Sequence, residues 1–191
     1  MDLLEVGSGR GGGASYIQKH LNTKTVTGLD ISSNAVDLSN SSFDTPGLTY
    51  IEGDSENLPF EDNRFDVVLN VESSHCYGSI EKFVSEVGRV LKKGGVFLWC
   101  DFRTENSMKD LFNLFLSSGF VIEKEKDITK NIMSALELLT PSRKKQINAH
   151  VPKIIKRVFE SYAGITGGEV NNAFVSGNLI YKSAALKIAK H

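Results

Sequence analysis

Cysteine is nearly absent from this chain of 191 residues, where Cys76 and Cys100 are the only two. So few exclude a disulfide framework and a cysteine-built zinc site. An excess of one charge is missing as well. The 22 Lys and Arg stand against 23 Asp and Glu, a net charge of -1, so no basic field draws the chain toward nucleic acid. No apolar run reaches the roughly 18 residues that a membrane span takes. Met1, Asp2 and Leu3 carry neither the basic region nor the cleavage site of a signal peptide, and cytoplasmic residence is the expectation. No repeat, low-complexity tract or linker interrupts the chain. With 40% hydrophobic and 24% charged residues, residues 1–191 read as a single globular domain whose core needs no staples.

What is present is an alternation of two periodicities. Residues 3–6 are apolar and end in Gly7, Ser8, Gly9, Arg10, Gly11, Gly12 and Gly13, after which helical spacing runs from Ala14 to Leu21. That is a strand, a tight glycine turn and a helix. Residues 25–29 alternate β-branched and small side chains and close on Asp30, and Ser32 or Ser33 can cap a helix to about Asn40. Three further strands are predicted over 48–51, 65–71 and 95–100, the first running into Glu52, Gly53 and Asp54 and the last ending on Asp101. Between the last two, Ile80, Phe83, Val84, Val87, Val90 and Leu91 recur at helical spacing, opened by Ser79 and closed by Lys92, Lys93 and Gly94. Met108, Leu111, Phe112 and Phe115 repeat the pattern up to Gly119, and a strand over 120–123 follows.

Apolar strands alternating with helices predict an α/β, doubly wound fold, with a mainly parallel sheet covered on both faces. Residues 129–174 read as a helical cap inserted before a last strand at 178–188, which is placed at the sheet edge, leaving a core of 1–128 and 175–191. Within the cap, Ile147, Val151, Ile154, Ile155, Val158, Phe159 and Tyr162 form an apolar stripe opposite Lys153, Lys156 and Arg157. An amphipathic helix with a solvated basic face is the reading.

Ligands of doubly wound sheets bind beyond the carboxyl ends of the strands, where the strand order reverses, and the first strand sits at that point. Gly7 and Gly9 permit backbone angles closed to other residues and bring the main chain against a ligand, with the dipole of the following helix behind it. Two spacings fit. Gly7, Gly9 and Gly12 satisfy the dinucleotide pattern G-x-G-x-x-G, and Gly7, Gly9 and Gly11 satisfy G-x-G-x-G. No Lys-Ser or Lys-Thr follows at the offset of a phosphate-loop NTPase. Asp30 stands 19 residues past Gly11, where a carboxylate accepts bonds from ribose hydroxyls of either a nicotinamide or another nucleoside cofactor. Its other use is to cap the next helix.

Three stretches discriminate between the cofactors. They are Leu4-Glu5-Val6-Gly7-Ser8-Gly9-Arg10-Gly11, then Gly53-Asp54-Ser55-Glu56-Asn57-Leu58-Pro59-Phe60 leading through Asn63-Arg64-Phe65-Asp66-Val67-Val68, and Glu86-Val87-Gly88-Arg89-Val90-Leu91-Lys92-Lys93-Gly94-Gly95. In these the chain resembles the class I S-adenosylmethionine (SAM) dependent methyltransferases. The resemblance implies a Rossmann-like sheet of order 3-2-1-4-5 and a SAM site whose product is S-adenosyl-L-homocysteine. Glu5 and the main chain of Gly7, Gly9 and Gly11 would hold the methionine part, Asp30 and Ile31 the ribose region, Asp54 and Ser55 the adenine, and main chain around Asn70 the sulfonium side. Arg10 could reach the SAM carboxylate or serve as a structural partner in the loop. Acidic groups suit a sulfonium and an ammonium, whereas they repel a pyrophosphate.

Methyl transfer to a hydroxyl needs positioning and a base. His75, in Glu72-Ser73-Ser74-His75-Cys76-Tyr77, follows the fourth strand, and Asp101, in Asp101-Phe102-Arg103, ends the fifth. Histidine titrates near neutrality, and an acidic neighbour fixes its tautomer. This block is similar to small-molecule O-methyltransferases of the phthiotriol dimycocerosate and rebeccamycin sugar methyltransferase type, which implies His75 as base and Asp101 as its partner; packing beside the cofactor is the plainer use of His75. Glu72 reads as a substrate ligand or a loop partner, and Tyr77 and Trp99 as core aromatics. His20, His150 and His191 have no carboxylate pattern around them. The expected partner is a small apolar metabolite bearing a hydroxyl, with no nucleic acid and no metal. A SAM-binding module without catalysis and an NAD(P)-dependent oxidoreductase are the alternatives. The resemblance also implies helices ahead of the first strand that close over the cofactor. Residue 1 lies almost at that strand, so an amino-terminal lid is expected to be missing and turnover to suffer.

Overall fold

The computed structural model describes residues 1–152 and 168–189. Its strands are β1 (Asp2–Val6), β2 (Thr25–Asp30), β3 (Leu48–Glu52), β4 (Phe65–Val71), β5 (Leu91–Arg103), β6 (Phe120–Asp127) and β7 (Ile180–Ile188). Its helices are α1 (Gly12–His20), α2 (Ser33–Ser42), α3 (Ile80–Val90), α4 (Glu105–Ser117), α5 (Thr129–His150) and α6 (Glu169–Val175), with a short 3-10 turn at Ser74–Cys76. The seven strands form one sheet of order β3-β2-β1-β4-β5-β7-β6. The mainly parallel, doubly wound sheet expected from the alternation is present.

Parallel pairing joins β1 to β2 and β4, β2 to β3, and β4 to β5. The chain therefore leaves β1 in both directions, and the register sets Val6 beside Leu29 and Asn70, Asp30 beside Glu52, and Val71 beside Cys100. Five carboxyl ends lie along one rim of the sheet. The central strand is apolar because both faces are covered, and Leu4 and Val6 are fully buried. On β5 the period of two puts Phe97, Trp99 and Asp101 on one buried face. Phe97 packs edge-on against Phe83 and Phe115, and Trp99 against Phe112 and Phe115.

Two expectations are corrected. The last strand is not at the edge, since β7 lies between β5 and β6. The reason is visible in the side chains: β6 carries Glu123, Lys124, Glu125, Lys126 and Asp127, all exposed, as a strand edge does to prevent further pairing. By contrast β7 buries Tyr181, Ala184 and Leu186. The second concerns α3, which is opened by Ser79, whose hydroxyl accepts from Lys82 N–H, but ends at Val90 rather than at the lysines. Lys92 and Lys93 belong to β5, where Lys92 Nζ bridges Asp2 and Asp66 at 3.2 and 2.9 Å. Two acids on neighbouring strands outcompete a helix terminus for that cation, and the hydrogen bond from Thr25, followed by that from Lys92, lowers the Asp2 carboxyl to about 2.

The chain divides into two compact units, one of Met1–Asp101, Asp110–Glu125 and Ser183–His191 and the other of Phe102–Lys109 and Lys126–Lys182. In the second unit, Phe102, Phe174 and Tyr181 cluster with ring centroids 5.9 to 6.4 Å apart. There Ile128 N–H donates to the Tyr181 carbonyl, and Tyr181 N–H to the Thr129 hydroxyl. Of the expected apolar stripe, Ile147 is buried, and Ile154, Ile155, Val158, Phe159 and Tyr162 lie outside the described residues, as do Lys153, Lys156, Arg157 and His191. No helix among the described residues is long and apolar enough to cross a membrane.

Candidate functional site

The loop after β1 resolves the two glycine spacings. Gly7, Gly9 and Gly11 all sit at positive φ, at 75°, 53° and 78°, where a side chain is strained. Gly12 instead begins α1, and a Cβ there would meet nothing within 4 Å. The working pattern is G-x-G-x-G. The loop is tied to β2: Gly7 N–H and Ser8 N–H donate to the Leu29 carbonyl, and Gly9 N–H to Asp30 Oδ2 at 2.8 Å. Asp30 Oδ1 accepts from Ser32 N–H. Asp30 thus shapes the loop and the start of α2 together.

Glu5 lies beneath this loop, 6% exposed, and a Cβ on Gly13 would come within 2.2 Å of its Oε1. Its Oε2 is buried without a hydrogen-bond partner. Burial raises its pKa from 4.5 to about 7, and a bond from the Ala14 backbone N–H opposes this only in part. The folded chain therefore holds a proton that the unfolded chain releases as pH rises from 4.5 to about 7. Stability from this group is complete below pH 4.5 and declines through that window. Glu5→Gln keeps an acceptor oxygen and removes the charge, so it is expected to gain up to about 3 kcal/mol of unfolding free energy at about pH 8 and much less at about pH 5. Denaturant titration of both proteins at the two pH values measures this, and an equal gain at both refutes the protonation.

Asn70, at the end of β4, is fully buried and ties three segments together. Its Nδ2, with two protons, lies within hydrogen-bonding reach of three acceptors, the Val6 carbonyl, Ser73 Oγ and Tyr77 Oη, at 3.0, 2.8 and 2.9 Å. Glu72 makes the turn out of β4 in the left-handed region, φ 50°, its N–H donating to the Cys100 carbonyl. The chain then enters the 3-10 turn and places His75 opposite Asp101 of β5. His75 Nδ1 is 2.8 Å from Asp101 Oδ1, with the histidine side chain 28% exposed and the aspartate completely buried. Asp101 Oδ2 accepts from His75 N–H and from Ser74 Oγ at 3.0 and 2.7 Å. The pair expected from the sequence is joined.

A cavity of about 400 Å³ opens at the carboxyl ends of β1 to β4. Of the expected cofactor residues, Gly7, Gly9, Asp30, Ile31, Asp54 and Ser55 line it. Glu5, Arg10, Gly11 and Asn70 do not: Glu5 and Asn70 are buried behind the wall, Gly11 is held by Tyr50 Oη on its carbonyl, and Arg10 is exposed. His75 and Asp101 are also outside the lining, although Cys76 and Tyr77 belong to it. Glu56, Glu72, Ser73 and Tyr77, to which the sequence assigns no cofactor role, also belong to the wall. Their signal was position alone, in the segments directly after β3 and β4. With Asp30 and Asp54, the two glutamates put four carboxylates on the cavity, and among the described residues no Lys or Arg lines it. Such a wall attracts a cation and repels a pyrophosphate. Burial, foremost, pushes the Tyr77 hydroxyl up to about 12, so Tyr77 is a hydrogen-bonding wall rather than a base near neutrality.

A family model described as a methyltransferase domain matches residues 4–99. The chain is 35% identical over 165 residues to the probable phthiotriol/phenolphthiotriol dimycocerosates methyltransferase 2 of Mycobacterium ulcerans, covering 86% of this chain and 64% of that protein. It is 32% identical to a fatty-acid O-methyltransferase of Mycolicibacterium smegmatis, over 84% of this chain and 58% of the relative. The chain thus spans less than two thirds of the length of these two relatives. The O-methyltransferase of a trans-AT PKS multienzyme of Brevibacillus brevis, solved with S-adenosyl-L-homocysteine, superposes with a TM-score of 0.78 at 18% identity, covering 99% of this chain and 67% of that one. At that identity the likeness speaks for the fold. Matched by the methyltransferase-domain model over half its length, and by relatives above 30% identity, this chain belongs to the SAM-dependent methyltransferases of class I.

Proposed function

We propose that the chain binds SAM in the acid-lined cavity and methylates a hydroxyl of a small, apolar, lipid-like metabolite, with His75 as base. The observation that carries this reading is the His75–Asp101 pair, 2.8 Å apart, at the same rim of the sheet as the glycine loop. The residues present fit the cofactor: backbone at Gly7 and Gly9 can approach it without intervening side chains, the cavity lies in the usual range for small ligands, and its wall is anionic. Asp30 would hold the ribose hydroxyls, and Asp54 with Ser55 the adenine. When bound, SAM supplies a methyl carbon already activated by the sulfonium.

The chain's own work is then to orient the acceptor and take its proton. With Nδ1–H donated to Asp101, the neutral imidazole carries its lone pair on Nε2, the nitrogen that can accept a hydroxyl proton. Asp101, buried and bonded at both oxygens, keeps the ring from turning. The lipid-like acceptor class rests on the names of the relatives, one acting on a fatty acid and one on phthiotriol dimycocerosates.

Calorimetry with SAM, S-adenosyl-L-homocysteine, NAD and NADP, followed by radiolabelled methyl transfer to long-chain alcohols and hydroxylated lipids, tests the reading. Heat is expected from the first two compounds and label in an alkali-stable ether. Association of a nicotinamide coenzyme without SAM would overturn it, and SAM binding without label on any acceptor would reduce the chain to a binding module.

A further inference from the structure

Behind the His75–Asp101 pair stands a second layer that neither the motifs nor the relatives assign. Asp101, Ser74 and Trp99 are each at most 2% exposed. Trp99 and Asp101 lie two positions apart on one face of β5, and Ser74 begins the 3-10 turn that presents His75. Trp99 Nε1 is 3.0 Å from Ser74 Oγ, which is 2.7 Å from Asp101 Oδ2. The direction of each bond is forced. An indole N–H only donates, so Ser74 must accept from it, and the single hydroxyl proton of Ser74 is left for the carboxylate. Edge-on packing of Trp99 against Phe112 and Phe115 holds the indole in place.

We propose that Ser74, with its hydroxyl aimed by Trp99, is a positioning residue that fixes the Asp101 carboxylate so that His75 presents one ring nitrogen to the acceptor. This rests on the reading of His75 as base. Two carboxylate oxygens with three donors leave little rotation about the Asp101 side chain. Remove the Ser74 hydroxyl, and Oδ2 loses its 2.7 Å donor, so the carboxylate gains room to turn and Oδ1 tracks Nδ1 less closely. Trp99 then reaches the chemistry through Ser74 and Asp101 without touching a substrate.

Trp99 is the single tryptophan of the chain, so one indole proton resonance reports on the relay. With the full chain, Ser74→Ala is expected to shift that resonance and to broaden away the slowly exchanging Nδ1 proton of His75. It should also lower kcat on the order of tenfold to a hundredfold, with KM for SAM unchanged. Trp99→Phe, which keeps an aromatic ring against Phe112 and Phe115, should give a smaller loss of the same kind and guards against a Ser74 variant that fails to fold. In a His75→Ala background Ser74→Ala should cost nothing more, because residues acting as a unit are not additive. A Ser74→Ala protein that keeps the Nδ1 proton and its kcat overturns the proposal, and so does one that still loses turnover when His75 is already gone. A His75→Ala protein with undiminished turnover would instead remove the base assignment, while the Nδ1 signal still decides whether Ser74 orients the ring.

Discussion

His75→Ala is expected to lower kcat on the order of 100-fold to 10,000-fold, about 3 to 5 kcal/mol of barrier, the range that a positioned base contributes. SAM affinity should not change, because His75 is not on the cavity wall. Acceptor chemistry sharpens this expectation. An aliphatic alcohol holds its proton tightly and needs the imidazole in the transition state, whereas a phenol, with a pKa of about 10 like that of tyrosine, has given up more of its proton already. The variant should therefore lose less on a phenol than on an alcohol. Asp101→Asn should approach the same loss by another route, since its amide can no longer both accept from His75 Nδ1 and receive Ser74, and the ring is free to take the wrong tautomer. Steady-state kinetics on one alcohol and one phenol measure these effects. Equal loss on the two acceptors would move His75 from proton transfer to mere positioning.

Which parts of this molecule were readable from the chain follows from how local each determinant is. The β1, glycine turn and α1 unit announces itself within 20 residues, because Gly7, Gly9 and Gly11 mark positive φ that no other residue accepts cheaply. The choice between the two glycine spacings could not be made locally: it depends on Tyr50 and Ser39 closing on Gly11, both far along the chain. The pairing of His75 with Asp101 needed the neighbouring, parallel order of β4 and β5, which the methyltransferase resemblance implied and the apolar runs alone did not. The burial of Glu5 and Asn70 behind the cavity wall was not legible, because a strand residue near a carboxyl end can face either way and only the packing of Gly13 and Val6 decides. The place of β7 also escaped the reading. Sheet order beyond a long helical excursion is set by which strand can afford an open edge, and the five charged residues ending β6 answer that only once both strands are compared. Ser74 and Trp99 look like ordinary core residues in the sequence, since neither carries a charge and their value lies in what they point at.

Gly7→Ala is expected to cost about 3 to 5 kcal/mol of stability, the sum of a strained left-handed residue and of buried hydrogen bonds left unmade. At φ 75° a Cβ on residue 7 would lie 2.3 Å from Ser73 Oγ, 2.5 Å from Ser73 Cβ and 2.9 Å from Tyr77 Oη. The hydroxyl could rotate, but Ser73 Cβ cannot, so the whole turn after β4 must retreat. That turn is the same one that Asn70 holds through Ser73 and Tyr77, and two residues further on it carries His75. A retreat on the order of 1 Å would loosen the cavity wall and move the base together, and turnover should fall on the order of 100-fold even in the fraction that folds. Gly12→Ala is the matched comparison, one methyl added five residues away on the first turn of α1 where a Cβ meets nothing. There, loss of unfolded-chain freedom should make the protein about 0.5 to 1 kcal/mol more stable. Thermal melts with and without S-adenosyl-L-homocysteine separate the two: Gly7→Ala should melt early and gain nothing from the ligand, and Gly12→Ala should melt late and keep the full ligand shift. A Gly7→Ala protein that retained that shift would mean the loop after β1 is not what holds the nucleoside, and the site would have to be sought elsewhere along the rim.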